Sequence, residues 1–311
     1  MKKILSVILL AALALSLCAC GGNTVVTPDT VPTVTDGTES TEPVWETVPE
    51  NREMTAKQYF VYDCDTKEFL AEARNGTDVI YPASITKLFT AYVALQYLNP
   101  ETLCTAGDEL DGVYAGSSVA EIQKGDTLTV EELVEAMLLP SGNDAAYILA
   151  ANAGRVLAHN RGLSGTEAVS RFVTEMNTQA KYMGMADTHF ANPDGIHSDD
   201  HRTTFSDIAI MGTLAMEDPV IMRYAATAKA EKTLSDGVKE WKNTNALIHP
   251  ESPYYCPYCI GLKTGQTPSA GSCLLSAFSY HGKTYLIGVF GCPDVDDRFP
   301  DTLLLFQNAI K

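Results

Sequence analysis

Residues 81–95 read Tyr81-Pro-Ala-Ser-Ile-Thr-Lys-Leu-Phe-Thr-Ala-Tyr-Val-Ala-Leu95. Leu88, Phe89, Tyr92, Val93 and Leu95 recur at helical spacing. Pro82 stands just ahead of that helix, where a missing N–H costs little. Ser84 and Lys87 are three apart, so a helix brings them together in its first turn. A serine hydroxyl is a weak nucleophile until a neighbouring base takes its proton. A lysine serves as that base only when neutral, which requires burial or a second cation nearby. By itself the pair is common on exposed helices, so the chain on either side must decide its meaning.

Downstream, Ser141-Gly142-Asn143 follows the apolar run Met137–Pro140, at a junction between two expected helices. Ser141 could relay a proton and Asn143 could hold a substrate amide. Lys263-Thr264-Gly265 follows Ile260-Gly261-Leu262, on or beside a strand. Lys263 could supply the second positive charge that keeps Lys87 deprotonated. Thr264 could bond a carboxylate, and Gly265 lets a ligand approach the backbone closely. Each triplet alone has a bland reading, a loop or a turn. Together they stand in the order S-x-x-K, S-x-N, K-T-G, separated by 57 and then 122 residues.

That ordered set occurs in penicillin-binding proteins and serine β-lactamases. The chain resembles the D-alanyl-D-alanine carboxypeptidases, the low-molecular-mass penicillin-binding proteins. The likeness extends through Leu139-Pro-Ser-Gly-Asn-Asp-Ala-Ala146, Asn192-Pro-Asp-Gly-Ile-His197, Gly261-Leu-Lys-Thr-Gly-Gln-Thr267 and Ala270-Gly271. It implies the α/β DD-peptidase/serine β-lactamase-like fold and a serine-type carboxypeptidase that needs no cofactor or metal. In that mechanism Ser84 attacks the carbonyl between the two terminal D-alanines of a peptidoglycan stem peptide, and Lys87 accepts its proton. Backbone N–H groups of Ser84 and Gln266 would form the oxyanion hole. Lys263, Thr264 and Gly265 would meet the substrate. Arg298 matches a family arginine beyond the following strand pair; its bland reading is a surface residue paired with Asp296, Asp297 or Asp301. β-Lactam antibiotics, which mimic the D-Ala-D-Ala end, would acylate Ser84.

Rival readings share these residues. A serine β-lactamase recruits a Glu in an E-x-x-L-N pattern, and none stands between Asn143 and Lys263. A DD-endopeptidase would act on cross-linked stems. A non-enzymatic β-lactam sensor would be acylated without peptide turnover. Only 48 residues follow Lys263, enough to finish a sheet and one helix; a second, β-rich domain found in many relatives is not expected.

The rest of the chain gives the architecture. Tyr59, Val61 and the turn Asp65-Thr66-Lys67 predict a hairpin over 57–73. Thr129 with Glu132 forms a capping box for a helix over 129–139. Further helices are expected over 143–158, 165–184, 206–217 (capped by Ser206) and 302–310. Strands are expected at Cys273–Phe278 and Thr284–Phe290. Strands at both chain ends with helices between them predict an antiparallel sheet built from the two ends, packed with helices, plus a mostly helical lobe. Tyr92 and Tyr97 read as packing residues, and His189, His197 and His201 as loop histidines at the edge of the site.

The amino terminus differs in kind. Lys2 and Lys3 precede the apolar run Ile4–Leu17, which is shorter than the roughly 20 residues a spanning helix needs. Leu17-Cys18-Ala19-Cys20-Gly21 resembles a bacterial lipoprotein signal. That implies a signal peptide over 1–19, lipid on Cys20, and a membrane-anchored, extracytoplasmic protein. Residues 20–53 are rich in Thr, Pro and Glu and carry seven carboxylates against Arg52, so they read as a disordered tether. The catalytic domain is then 54–311.

The overall charge of −17 argues against nucleic acid, whose binding needs clustered Lys and Arg. Of the eight cysteines, six lie beyond the tether's Cys20. Cys256-Pro-Tyr-Cys259 leaves a local disulfide, free thiols and a metal site all open.

Overall fold

The computed structural model describes residues 43, 45–74 and 79–311. The signal peptide, Cys20 and most of the tether lie outside the described residues.

In chain order the elements are β1 (Gln58–Asp63), β2 (Glu68–Ala73), α1 (Thr86–Leu95), β3 (Leu103–Thr105), β4 (Thr127–Thr129), α2 (Val130–Leu138), α3 (Asn143–Leu157), α4 (Gly165–Tyr182), α5 (Phe205–Glu217), α6 (Pro219–Ala225), β5 (Lys229–Leu234), β6 (Gly237–Lys242), β7 (Cys259–Thr267), β8 (Gly271–Tyr280), β9 (Lys283–Cys292) and α7 (Arg298–Ala309). β2-β1-β9-β8-β7 form one five-stranded sheet, antiparallel throughout. The expected sheet from both chain ends is therefore present. It closes because β1 pairs with β9, setting Phe60 opposite Gly288 and Val61 opposite Ile287.

Neighbouring residues in these strands feed opposite cores, as a strand's period of two requires. Phe60, Leu275 and Leu286 pack with the helical lobe. Val61, Leu274 and Ile287 pack with Phe299, Leu303 and Phe306 of α7. This two-sided burial explains why β8 and β9 read as nearly continuous apolar runs. Within the lobe, α1 is buried almost all round. Its polar members Thr86, Lys87 and Thr90 must therefore find internal partners.

The capping box of α2 forms as expected, with Thr129 Oγ1 accepting from Glu132 N at 3.1 Å and Thr129 N donating to Glu132 Oε2 at 2.8 Å. The cap of α5 is Thr204, not Ser206, which lies inside the helix. α7 starts at Arg298, four residues earlier than expected. Pro300 is compatible with that start, since first-turn N–H groups have no helical partner.

One compact unit spans Pro43–Lys311. Trp45 packs edge-on against Phe306 at 5.8 Å. Val48 exchanges two hydrogen bonds with the Gln307 amide, at 2.7 and 2.9 Å. The tether's composition concealed these two apolar anchors.

Candidate active site

The three motifs meet where α1, the α2–α3 junction and the edge strand β7 converge. Ser84 lies in a 3₁₀ turn over 83–85 that leads into α1. Lys87 Nζ donates to Ser84 Oγ at 2.8 Å and to the Asp194 carbonyl oxygen at 2.7 Å. Lys87 is fully buried. Burial pushes its ammonium down to about 8, against the opposing pull of the Asp194 and Asp144 charges. The first requirement of a lysine base, a neutral fraction near physiological pH, is met mainly by burial rather than by a second cation.

The loop over 192–197 closes one side. Thr90 Oγ1 donates to the Pro193 carbonyl at 2.6 Å, and Asn192 Oδ1 accepts from Gly195 N at 2.8 Å. Gly195 has φ +88°, and a Cβ there would stand 1.9 Å from the Ala83 carbonyl oxygen. Only glycine allows this loop so near the nucleophile's backbone. His201 pins α1 from the same side. Its Nδ1 accepts from Ala191 N at 3.2 Å, leaving Nε2 to donate to Thr86 Oγ1 at 2.8 Å. Burial pushes the ring down to about 3, so it is a neutral structural group.

Lys263 on β7 is also buried. Nζ reaches Thr244 Oγ1 and the Thr264 carbonyl, each at 3.3 Å, and Thr264 Oγ1 at 3.5 Å. Its ammonium is held well below its ordinary range by burial, then by repulsion from Lys87 and Arg298. Lys263 thus lies within the field of both other cations. Arg298 is buried at the start of α7, with Nη1 donating to the Gly265 carbonyl at 3.4 Å and the guanidinium over the Phe299 ring. Among the described residues it pairs with no carboxylate, so the surface reading of Arg298 does not hold.

Gly265 brings β7 against the nucleophile's turn. A Cβ there would meet the Pro82 carbonyl oxygen at 2.9 Å and Ser84 N at 3.1 Å. Among the described residues β7 is the last strand of the sheet, so one row of its backbone groups has no strand partner there. Gln266, beside it, is exposed. Ser141 and Asn143 are buried at the α2–α3 junction, but no hydrogen bond joins either to Ser84 or Lys87 among the described residues. Asn143 Oδ1 is buried without a partner, an acceptor with unused capacity.

A non-glycine residue in the left-handed region opens or immediately precedes each motif: Ala83 at φ 48°, Ser141 at φ 66° and Leu262 at φ 81°. Such conformations cost about 1–3 kcal/mol each and concentrate at functional sites.

Sequence reasoning missed three contributors. The Asp194 carbonyl carries no side-chain signal. Thr244 lies in a segment without a motif. His201 reads in sequence as an ordinary loop histidine, and only its burial sets it apart.

All six described cysteines are free, and no metal-binding cluster exists among the described residues. Burial pushes the Cys256 and Cys273 thiols up to about 11 and Cys259 up to about 12. These are inert core thiols.

The model of the D-alanyl-D-alanine carboxypeptidase family matches residues 45–292. A D-alanyl-D-alanine carboxypeptidase of Streptomyces sp. strain K15 is 35% identical over 244 residues, 74% of this chain and 77% of the relative. A carboxypeptidase of Bacillus subtilis is 28% identical over 78% of this chain, which spans 59% of that relative's length. The crystal structure of the Streptomyces K15 DD-transpeptidase superposes with TM-score 0.72 at 28% identity, covering 82% of this chain and 97% of that one. Penicillin-binding protein D2 of Listeria monocytogenes, in its ampicillin-bound form, superposes with TM-score 0.67 at 28% identity, covering 84% of this chain and 100% of that one. A serine–lysine pair with this surrounding geometry, on this fold and with these relatives, places the chain in the D-alanyl-D-alanine carboxypeptidase family.

Proposed function

We propose that the chain removes the terminal D-alanine from peptidoglycan stem peptides through an acyl-enzyme on Ser84. The reading rests on one observation above all: a fully buried Lys87 Nζ 2.8 Å from Ser84 Oγ. Ser84 Oγ bonds to the penultimate D-Ala carbonyl carbon and passes its proton to Lys87. The C–N bond then breaks, and the departing D-Ala amine takes a proton back. Water attacks the ester, Lys87 again accepting a proton, and Ser84 is regenerated. Ser84 N and Gln266 N would hold the oxyanion, Gln266 being the β7 residue after Gly265. Asn143 Oδ1, with its free acceptor capacity, suits a substrate amide N–H, and Ser141 would assist proton transfer.

Lys263, Thr264 and Arg298 would receive the terminal carboxylate. A carboxylate arriving there favours the charged form of Lys263, and that charge in turn favours neutral Lys87. The anionic end of the substrate thereby helps prepare the base. β-Lactams would acylate Ser84 by the same route.

The full-length chain with Ser84→Ala should lose both labelling by a fluorescent penicillin and D-Ala release from a D-Ala-D-Ala peptide. Continued hydrolysis would sink the assignment. Rapid penicillin turnover by the unmodified chain, instead of a lasting adduct, would favour a β-lactamase.

We further propose that Cys20 carries the lipid that holds the protein at the outer face of the membrane. Its support is the Leu17–Gly21 signal. No helix among the described residues is long and apolar enough to cross a membrane. Cys20→Ser should shift the protein from the membrane to the soluble fraction.

A further inference from the structure

Arg298 opens α7 amid carboxylates: Asp296 and Asp297 precede it, and Asp301 follows one turn later. A guanidinium bonds a carboxylate more strongly than any neutral acceptor. Yet its one hydrogen bond among the described residues goes to a carbonyl, at 3.4 Å, and its buried Nε has no partner. The neighbouring carboxylates are engaged elsewhere. Asp297 Oδ1 accepts from Arg52 Nη2 at 3.0 Å. Asp301, fully buried, accepts from Thr55 N, Thr55 Oγ1 and Ala56 N at 2.9, 2.8 and 2.7 Å. Its second oxygen lies 3.5 Å from Arg52 Nε. Asp296 is exposed to water, where screening weakens its hold on Arg298.

We propose that Arg52 is a positioning residue for Arg298: the strap of residues 52–56 draws Asp297 and Asp301 away and leaves the guanidinium open to the substrate's terminal carboxylate. The strap also fixes the first turn of α7 against β1, which follows it directly in the chain. The inference rests on the reading of Arg298 as a carboxylate anchor. It assigns a role to Arg52, which the composition of residues 20–53 marks as linker.

The test is steady-state hydrolysis of a D-Ala-D-Ala peptide by the full-length chain. Arg52→Ala should raise KM roughly three- to tenfold while leaving kcat within about twofold, the scale of one displaced ion pair. Arg52→Lys should recover most of the loss. Adding Asp297→Asn to Arg52→Ala should also lower KM again, because the freed competitor then has no charge; a purely structural strap would give no such rescue. An unchanged KM in Arg52→Ala, or no rescue by Asp297→Asn, would overturn the proposal. Arg298→Gln, measured alone, separates the two levels. If it leaves KM unchanged, the anchor reading itself fails. If it raises KM while Arg52→Ala does not, only the strap's role fails.

Discussion

The carbonyl oxygen of Asp194 accepts a hydrogen bond from Lys87 Nζ at 2.7 Å, so a loop far along the chain aims the base at Ser84. The Asp194 side chain matters as well. It is buried, with Oδ2 unpartnered, and its charge raises the Lys87 pKa against the downward push of burial. Asp194→Asn keeps the carbonyl and removes the charge. Lys87 then loses its proton at lower pH. If Lys87, held near 8, sets the acid limb of penicillin acylation, Asp194→Asn should move that limb down by about half a unit to one unit. Acylation rates measured from about pH 5 to 9.5 decide it. A limb that stays in place or moves up would show that the carboxylate does not act on the base.

The base is costly to keep. An unfolded Lys87 has its ordinary value of 10.5, whereas the folded one is near 8. Between those values the unfolded chain binds a proton that the folded one does not, so stability rises with pH across that window. Below about 8 the full penalty is present. Lys87→Met should abolish acylation yet stabilise the protein at neutral pH by about 1–3 kcal/mol. The gain should shrink toward pH 10 and beyond, where the native lysine is neutral in the folded state. Denaturant melts of both proteins at neutral and alkaline pH test this. A less stable methionine variant at neutral pH would mean that its hydrogen bonds outweigh its desolvation.

His201 is a pin and not a proton carrier. With its ring held down to about 3, it should show no titration by NMR between about pH 5 and 8. Its folded value lies below its unfolded one, so its stability contribution is present above about 6.5 and is lost as pH falls toward 3. His201→Ala strands Ala191 N and Thr86 Oγ1 and opens a cavity, at an expected cost of about 2–4 kcal/mol. The acid limb of acylation should keep its midpoint. A midpoint shift would give His201 a place in proton transfer.

The parts of the molecule that could be read from sequence were those encoded locally. The Thr129–Glu132 capping box, the Asp65–Lys67 turn and the i, i+3 pair Ser84–Lys87 depend on neighbours in the chain, and each formed as expected. β5 and β6 escaped notice because KAEKTL and GVKEWK are charge-rich and mostly exposed; their pairing with each other outweighs weak strand propensity. α6 carried a usable signal in Asp218-Pro219, an N-cap followed by proline, and the cap does form. Thr204 and Ser206 are both competent caps by residue type; the sequence pattern points to Ser206, whereas the helix is capped by Thr204. The strap's role was hidden for another reason. Trp45, Val48 and Arg52 make long-range contacts from within a Thr/Pro/Glu background, and averaging over the segment erased them.

Two glycines separate fold from chemistry at the nucleophile. At Gly195 an added Cβ would stand 1.9 Å from one backbone atom and 2.3 Å from another, at φ +88°. Neither backbone atom can yield, so Gly195→Ala should cost about 2–4 kcal/mol and lose acylation together with stability. At Gly265 the added Cβ would stand 2.9 Å from the Pro82 carbonyl oxygen, 3.0 Å from Ala83 Cβ and 3.1 Å from Ser84 N. Those gaps are relieved by a few tenths of an ångström between β7 and the 83–85 turn, and strand conformation itself tolerates alanine. Gly265→Ala should therefore melt close to the native protein, with a loss of about 1 kcal/mol or less. Acylation by penicillin should nevertheless slow at least about tenfold, because the backbone donors and Ser84 Oγ no longer share one geometry. Thermal melts and stopped-flow acylation on both variants resolve the two effects. Acylation at the native rate by Gly265→Ala would show that the close approach of β7 to Ser84 serves packing alone.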